Sequence, residues 1–172
     1  MNDWVAAFVL ATLAECWAAA SLAGELPDRN LTPGVVNAGI SEQQYRAQCH
    51  AKGWTRPYRP SVGFTNSLKK LQMKKYGYPL SEIRDYEEDH LVPLCLAGAP
   101  QDAANLWPQP RSGEWNADRK DKLEAKLCRL TCDGKVRLAD AQREIAADWI
   151  VAYRKYIGAP PKSATHKAPF GP

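Results

Sequence analysis

The segment from Tyr86 to Lys122 limits the fold of this chain more than any other part of the sequence. It places an acid next to a histidine, Asp89-His90, before a short apolar run that a glycine and a proline interrupt. A second extended piece begins at Asn105, and a helix is expected to begin near Asn116. This order of extended piece, turn, extended piece and helix predicts that one acid, one imidazole and one amide surround a single small volume.

The residue types in this segment suit the hydrolysis of a phosphodiester bond. His90 is a candidate general base, because an imidazole with a pKa of about 6.5 is largely neutral yet basic at physiological pH. Oxygen ligands from Asp and Asn side chains suit a hard cation such as Mg²⁺, which keeps several waters and needs few protein ligands. Such a cation neutralises charge on the phosphate and on the leaving oxygen.

The segment resembles the HNH endonucleases of the ββα-metal superfamily. The residues that match the family signature are Asp89-His90, Pro93, Gly98, Asn105-Leu106 and Asn116. The resemblance implies that His90 is the general base and that Asp89 and Asn116 bind the metal. It implies that Asn105 holds the loop between the strands through side-chain hydrogen bonds to the backbone. The expected fold class is α+β, a mostly helical single domain around a ββα-metal core.

A wider resemblance, to small exported bacterial proteins of this type, extends from about Leu26 to Gly158. Two positions depart from the family pattern. The usual second glycine of the turn is an alanine here, at Ala97 or Ala99, and the third signature residue is Asn116 rather than a histidine. The second departure bears directly on the expected metal site.

Basic residues cluster at the start of the helix that follows Asn116. Arg119, Lys120 and Lys122 lie within its first two turns, and we predict that they contact phosphate. A surface ion pair between Lys120 and Asp121 is the alternative. On an earlier predicted helix, phosphate contacts and a merely solvated surface are both open for Lys69, Lys70, Lys74 and Lys75.

Residues 1–23 are mostly apolar and contain no lysine or arginine. We interpret them as a secretory signal cleaved near Ala23 or Ala20, so the protein is expected to be periplasmic or secreted. The alternative is an uncleaved membrane anchor, since the stretch is just long enough to span a bilayer. Loss of the segment raises the formal net charge from +4 to +6, which suits a polyanionic partner.

Four cysteines remain once the segment that contains Cys16 is removed. An even number in an exported chain predicts two disulfides, and three pairings are possible. A Cys128–Cys132 bond would have to span one helical turn, which is strained. Of the two pairings that remain, we favour Cys49 with Cys132 and Cys95 with Cys128. A structural zinc site with four cysteine ligands is the alternative, although such sites usually contain two close cysteine pairs and this chain offers one.

Beyond the signal segment, we divide the chain into three parts. Residues 24–60 form an N-terminal arm with a short helix, and residues 61–158 form the HNH-like domain. Residues 159–172 are rich in proline and lack apolar periodicity, so a flexible tail is expected.

Capping and periodicity predict the remaining helices. Ser41 and Gln44 match a capping box at the start of the short helix. Thr65 is the expected cap of a helix that ends near Tyr76. Apolar residues recur every three or four positions from about Leu138 to Ile157, which predicts one long C-terminal helix.

These observations predict a monomeric, exported endonuclease that hydrolyses DNA, with RNA as the alternative substrate. It would use His90 and one divalent cation, with Mg²⁺ expected and Mn²⁺ as the alternative. Neither His50 nor His166 is expected near His90, so a zinc site built from histidines is not expected. No stable association with the membrane is expected after signal cleavage. The second hypothesis is a non-catalytic, nucleic-acid-binding protein of the envelope that keeps the same scaffold.

Overall fold

The computed structural model describes residues 24–159, which form a mixed α+β fold with one two-stranded sheet. In chain order, the elements are α1 (Glu42–Gln48), α2 (Val62–Lys75), β1 (Tyr86–His90), β2 (Leu106–Pro110), α3 (Ala117–Cys132), α4 (Leu138–Ala147) and α5 (Trp149–Tyr156). A short 3₁₀ turn, Leu80–Asp85, leads into β1. The predicted signal, residues 1–23, and residues 160–172 of the predicted tail lie outside the described residues.

The two strands pair antiparallel, with His90 at the end of β1 opposite Leu106 at the start of β2. Successive side chains of a strand point to opposite faces of a sheet. Glu87 and Asp89 therefore share one face of β1, while Glu88 and His90 share the other. Because the sheet has two strands, the outer edge of β1 has no strand partner within residues 24–159.

The hydrophobic core lies where α3, α4 and α5 meet the loop between the strands. Leu123 and Leu127 are one helical turn apart on α3, and both are fully buried. Ile145 of α4 and Trp149 of α5 are also fully buried against this cluster. This packing fixes α3 against the loop that follows β1.

Two helix starts predicted from the sequence are confirmed. The Ser41 hydroxyl accepts a hydrogen bond from the Gln44 N–H at 3.2 Å, and the Ser41 N–H donates to the Gln44 side chain at 2.8 Å. Asn116 caps α3, because its side-chain oxygen accepts from the Arg119 N–H at 3.2 Å. Each cap satisfies a backbone donor that the first helical turn leaves unpaired.

The predicted start of α2 was wrong by one turn. Ser61 is the cap, and its hydroxyl accepts from the Phe64 N–H at 3.2 Å. Thr65 lies inside the helix, where its hydroxyl donates to the Val62 carbonyl at 3.1 Å. Ser61 follows a proline and has extended backbone angles, the conformation that a capping residue requires.

The single C-terminal helix predicted from the sequence is two helices, so that prediction was also wrong. The backbone breaks at Asp148, which has φ −167° and ψ 101°. The Asp148 carboxylate accepts from the N–H groups of Ile150 and Val151, both at 2.9 Å, and thereby starts α5. The spacing from Ile145 to Trp149 still places both on one apolar stripe, so periodicity alone does not reveal the break.

The N-terminal arm is tied to the core and to the loop between the strands. The Trp149 indole N–H donates to the Glu25 carbonyl at 3.0 Å. Val36 forms an isolated β-bridge with Gly98 in that loop. These contacts fasten the arm to the core and hold the loop between the strands in place.

Two disulfides join the outer parts of the fold to α3. They are Cys49–Cys132 and Cys95–Cys128, each with a Cα–Cα distance of 5.7 Å. This is the pairing favoured from the sequence, and it occupies all four cysteines that the zinc alternative would require. The disulfides indicate an oxidising environment. No helix within residues 24–159 is both long enough and apolar enough to cross a membrane.

Candidate active site

A cleft of about 630 Å³ lies along the free edge of β1 and includes His90 and Asp89 in its wall. Its other walls come from α2, from α3 and from the loop at residues 55–60. We call it the His90 cleft. Its charged lining residues are the acids Glu87, Glu88, Asp89, Asp121 and Glu124 and the bases Arg59, Lys69 and Arg111.

Asn105 fixes the loop that shapes one side of this cleft. Its side chain is fully buried and donates to the carbonyls of Val92 and Ala99, both at 3.0 Å. Its oxygen accepts from the N–H groups of Val92 at 3.0 Å and Val35 at 3.2 Å. Gly98 makes this turn possible, because a Cβ there would lie 1.8 Å from the Val92 carbonyl oxygen. The loop geometry therefore depends on one amide and one glycine.

The orientation of His90 is set by a backbone carbonyl in the same loop. Its Nε2 lies 2.9 Å from the carbonyl oxygen of Pro100. A carbonyl only accepts hydrogen bonds, so Nε2 carries the proton and the neutral ring keeps the lone pair on Nδ1. Burial lowers the pKa of His90, and this outweighs the hydrogen bond to Pro100 and the charge of Asp89, which favour the protonated form. His90 is therefore a neutral imidazole at pH 7 with Nδ1 able to accept a proton.

A buried ammonium group links α3 to the end of β1. Lys120 is 1% exposed, and its Nζ donates to Asp89 Oδ2 at 2.6 Å and to the His90 carbonyl at 2.7 Å. Its third donor bonds to the Glu124 carboxylate, one turn along the helix. Burial opposes the charge, but the two carboxylates outweigh it and raise the pKa of Lys120. All three ammonium donors are used, so this lysine holds both residues at the end of β1.

Three predicted phosphate-binding residues do not line the His90 cleft. Lys120 is buried against Asp89, because it lies one turn before the buried Leu123 on the packed face of α3. Arg119 lies over the ring of Trp115, with 5.5 Å from its guanidinium carbon to the ring centroid. Lys122 is exposed on α3 and is also outside the cleft lining.

Asn116, the predicted helical metal ligand, is likewise outside the cleft lining and uses its side-chain oxygen to cap α3. The helix instead presents Asp121 and Glu124 to the cleft. The sequence could have predicted that these two acids lie together, since residues three positions apart share one helix face. No comparable signal marks Arg59 or Arg111, whose positions depend on how their loops fold.

The basic side chains that line the cleft differ in the contacts they make within the protein. Lys69 donates to the carbonyls of Ile83 and Tyr86, both at 2.9 Å. Arg111 is largely exposed and forms an ion pair of 2.9 Å with Glu87. Because Lys69 is already bound by backbone oxygens, the exposed Arg111 and Arg59 are the cations best placed to meet an incoming anion.

Glu88 is half-buried, and its two carboxyl oxygens are buried without a hydrogen-bond partner within residues 24–159. Burial raises the pKa of Glu88 to about 8, and the charge of Asp89 adds to this while the Lys69 ammonium opposes it. The carboxyl group is therefore largely protonated at neutral pH.

The donor set of the cleft fits a hard cation such as Mg²⁺. Asp89 gives Oδ2 to Lys120, while Oδ1 has no hydrogen-bond partner among the described residues. Burial raises the pKa of Asp121, and the charge of Asp89 raises it further. A divalent cation would relieve this repulsion, and oxygen atoms are the ligands that Mg²⁺ prefers. Asp89 and Asp121 are therefore the residues that would hold it.

The cleft does not offer a closed cage of protein ligands. In the part of the chain that the structure describes, ligand atoms of three or more His, Cys, Asp or Glu residues converge in one group, formed by Cys49, His50 and Cys132. That group lines a different cavity from the one that contains His90. A cation in the cleft would keep most of its water, which is the usual coordination of Mg²⁺.

Comparison of the chain with protein-family models, curated proteins and solved structures found no match.

Proposed function

We propose that the protein is an exported, HNH-type, metal-dependent endonuclease that hydrolyses phosphodiester bonds of DNA. The observation that carries the proposal is the orientation of His90, whose ring is held by the Pro100 carbonyl with Nδ1 left as the acceptor. The order β1, loop, β2, α3 supports it, because the loop presents this carbonyl and the helix presents carboxylates to the same cleft. Two disulfides support export.

In the proposed reaction, His90 takes a proton from the attacking water through Nδ1 and gives it up to solvent after cleavage. Lys120 holds the Asp89 carboxylate and the His90 backbone at a fixed position relative to α3. Arg59 and Arg111 attract the phosphate backbone to the cleft. A divalent cation, when bound by Asp89 and Asp121, supplies charge neutralisation at the phosphate.

Plasmid cleavage by the oxidised, metal-stripped protein tests the proposal. Mg²⁺, Mn²⁺ or EDTA is added, and His90→Ala and His166→Ala are run beside the wild type. We expect cleavage that needs metal and falls by at least about 100-fold in His90→Ala, because a general base contributes about 10²–10⁴-fold. His166→Ala is the matched control and should cleave at the wild-type rate. Wild-type cleavage by a folded His90→Ala protein would refute the mechanism.

A second function is favoured by one observation, the ion pair between Asp89 and the buried Lys120. A protonated lysine already neutralises one oxygen of the acid that a metal would need. A non-catalytic, nucleic-acid-binding protein of the envelope could keep this scaffold with a weakened metal site. In that case the folded protein would retard DNA in a salt-dependent binding assay and cleave neither DNA nor RNA with any divalent metal.

A further inference from the structure

The strongest cluster of metal-ligating side chains lies outside the His90 cleft, where α1 ends beside the C-terminal end of α3. The Sγ atoms of Cys49 and Cys132 and one ring nitrogen of His50 all lie within 4.8 Å of one another. They line a separate cavity of about 260 Å³, together with Asp133, Arg129 and the second disulfide. The two sulfurs are joined as a disulfide in the structure.

We propose that this cluster is a redox-gated zinc site, which binds Zn²⁺ through Cys49, His50 and Cys132 when their disulfide is reduced. Two thiolates and one imidazole form a ligand set typical of Zn²⁺. A fourth position is open to the Asp133 carboxylate or to water. The site is independent of the proposed nuclease function.

The geometry needs little rearrangement to accept zinc. Two thiolates bound to one tetrahedral Zn²⁺, with Zn–S bonds of about 2.3 Å, lie about 3.8 Å apart. The Cα atoms of Cys49 and Cys132 are 5.7 Å apart, so side-chain rotation can open the sulfurs to that distance. One ring nitrogen of His50 already lies within 4.8 Å of both sulfurs, and the side chain is exposed.

The fold keeps these ligands together after the disulfide opens. Tyr45 on α1 is fully buried in the core, and its ring packs edge-to-face on Trp54 at 5.8 Å. The end of α3 is held by the buried Leu127. Arg129, which lines the same cavity, favours the thiolate form of the cysteines.

The chemistry balances with a dithiol as the reductant. The dithiol transfers two electrons to the Cys49–Cys132 bond and is itself oxidised to a disulfide, and the protein sulfurs become two thiols. Each thiol then loses its proton to solvent as the sulfur binds Zn²⁺. The same two chain segments, 83 residues apart in sequence, are thus linked by a disulfide in the oxidised protein and by a metal ion in the reduced protein.

Titration of the full-length, dithiol-treated protein with Co²⁺ tests the proposal, because tetrahedral Co²⁺–thiolate sites absorb visibly and Zn²⁺ displaces the cobalt. We expect one Co²⁺ per reduced chain with two thiolate ligands, and no such absorption in the oxidised protein. His50→Ala should weaken binding by at least about 10–100-fold, since loss of even an outer-shell partner costs that much. His166→Ala is the matched control and should bind as the wild type does.

The neighbouring disulfide provides the decisive comparison. A Cys95→Ser/Cys128→Ser variant should keep the cobalt spectrum, and a Cys49→Ser/Cys132→Ser variant should lose it. A spectrum that requires all four cysteines, or affinity unchanged in His50→Ala, would overturn the proposal. Circular dichroism of the reduced protein is recorded in parallel. A chain that is unfolded when reduced and does not refold with Zn²⁺ would overturn it as well.

Discussion

Replacement of Lys120 by methionine removes the ammonium that joins α3 to the end of β1 and keeps nearly the same side-chain length. Asp89, Glu124 and the His90 carbonyl would each lose their donor. Removal of one partner from a buried ion pair costs about 3–5 kcal/mol, because the remaining charge stays buried and unpaired. We expect Lys120→Met to lower the free energy of unfolding by that amount, measured by urea denaturation.

A matched control lies two residues along the same helix. Lys122 is exposed, so Lys122→Met should change the free energy of unfolding by less than about 0.5 kcal/mol. The comparison separates burial of the charge from the general effect of replacing a lysine in α3.

A second substitution separates stability from positioning. Adding Glu124→Leu to Lys120→Met replaces the buried ion pair by apolar groups, and such replacements are often neutral or stabilising. Asp89 keeps access to the cleft. We expect the double variant to regain most of the lost stability, while DNA cleavage stays low because Asp89 and His90 are no longer tethered to α3.

Two results would refute this reasoning. A loss below about 1 kcal/mol in Lys120→Met would mean that the ammonium is not buried between two carboxylates. A double variant that regains both stability and cleavage would mean that Lys120 does not position the site. The stability result does not depend on the proposed function, whereas the cleavage result does.

Two further predictions concern the protonation of Glu88 and the identity of the metal ligand on α3. Burial raises the pKa of Glu88 from its ordinary value of 4.5 to about 8, so its contribution to stability is complete below pH 4.5 and is lost as pH rises through about 8. In EDTA, Glu88→Gln should therefore gain roughly 4 kcal/mol over the wild type between pH 5 and pH 9. Equal pH dependence of the two proteins in urea denaturation would contradict this. Asn116→Ala should cost about 1 kcal/mol of stability as a lost helix cap and leave Mg²⁺ affinity unchanged. Asp121→Asn should instead lower Mg²⁺ affinity in calorimetric titrations, and the reverse pattern would restore Asn116 as the ligand.

Local signals in the sequence were enough to place much of the frame around the cleft. The cap at Ser41 and the start of α3 near Asn116 follow from side-chain chemistry within one helical turn, which neighbouring residues determine. Excluding a Cys128–Cys132 bond within one turn of α3 left two possible pairings, and the structure has the one that was preferred, Cys49 with Cys132 and Cys95 with Cys128.

The errors arose where tertiary packing decides between two local possibilities. Asp148 is compatible with a helix interior and with a cap, and the apolar stripe continues through it in either case. Ser61 and Thr65 are both capping residues, and the extended backbone after Pro60 favours the first. In each case the sequence is compatible with two local structures, and tertiary packing selects one of them.

Lys120 was misassigned for a different reason. Lysine is among the residues least often buried, so a lysine near a helix start is expected to face solvent. Its position nevertheless continues the apolar stripe of Leu123 and Leu127, at i, i+3 and i+7, with an acid at i+4. A lysine on the buried stripe of a helix, one turn from an acid, indicates an internal ion pair rather than a phosphate contact.

This internal ion pair also bears on the choice between catalysis and binding. A protein that only bound nucleic acid would gain nothing from a buried ion pair, since apolar residues at positions 120 and 124 together would serve the fold equally well. The Lys120 ammonium does more than neutralise Asp89, because one of its donors fixes the carbonyl of His90 itself. An arrangement that fixes the backbone of a neutral histidine, while the Pro100 carbonyl fixes its ring, controls where Nδ1 lies. Such control is needed for proton transfer, which depends on the position of a single atom, and not for the attraction of a polyanion.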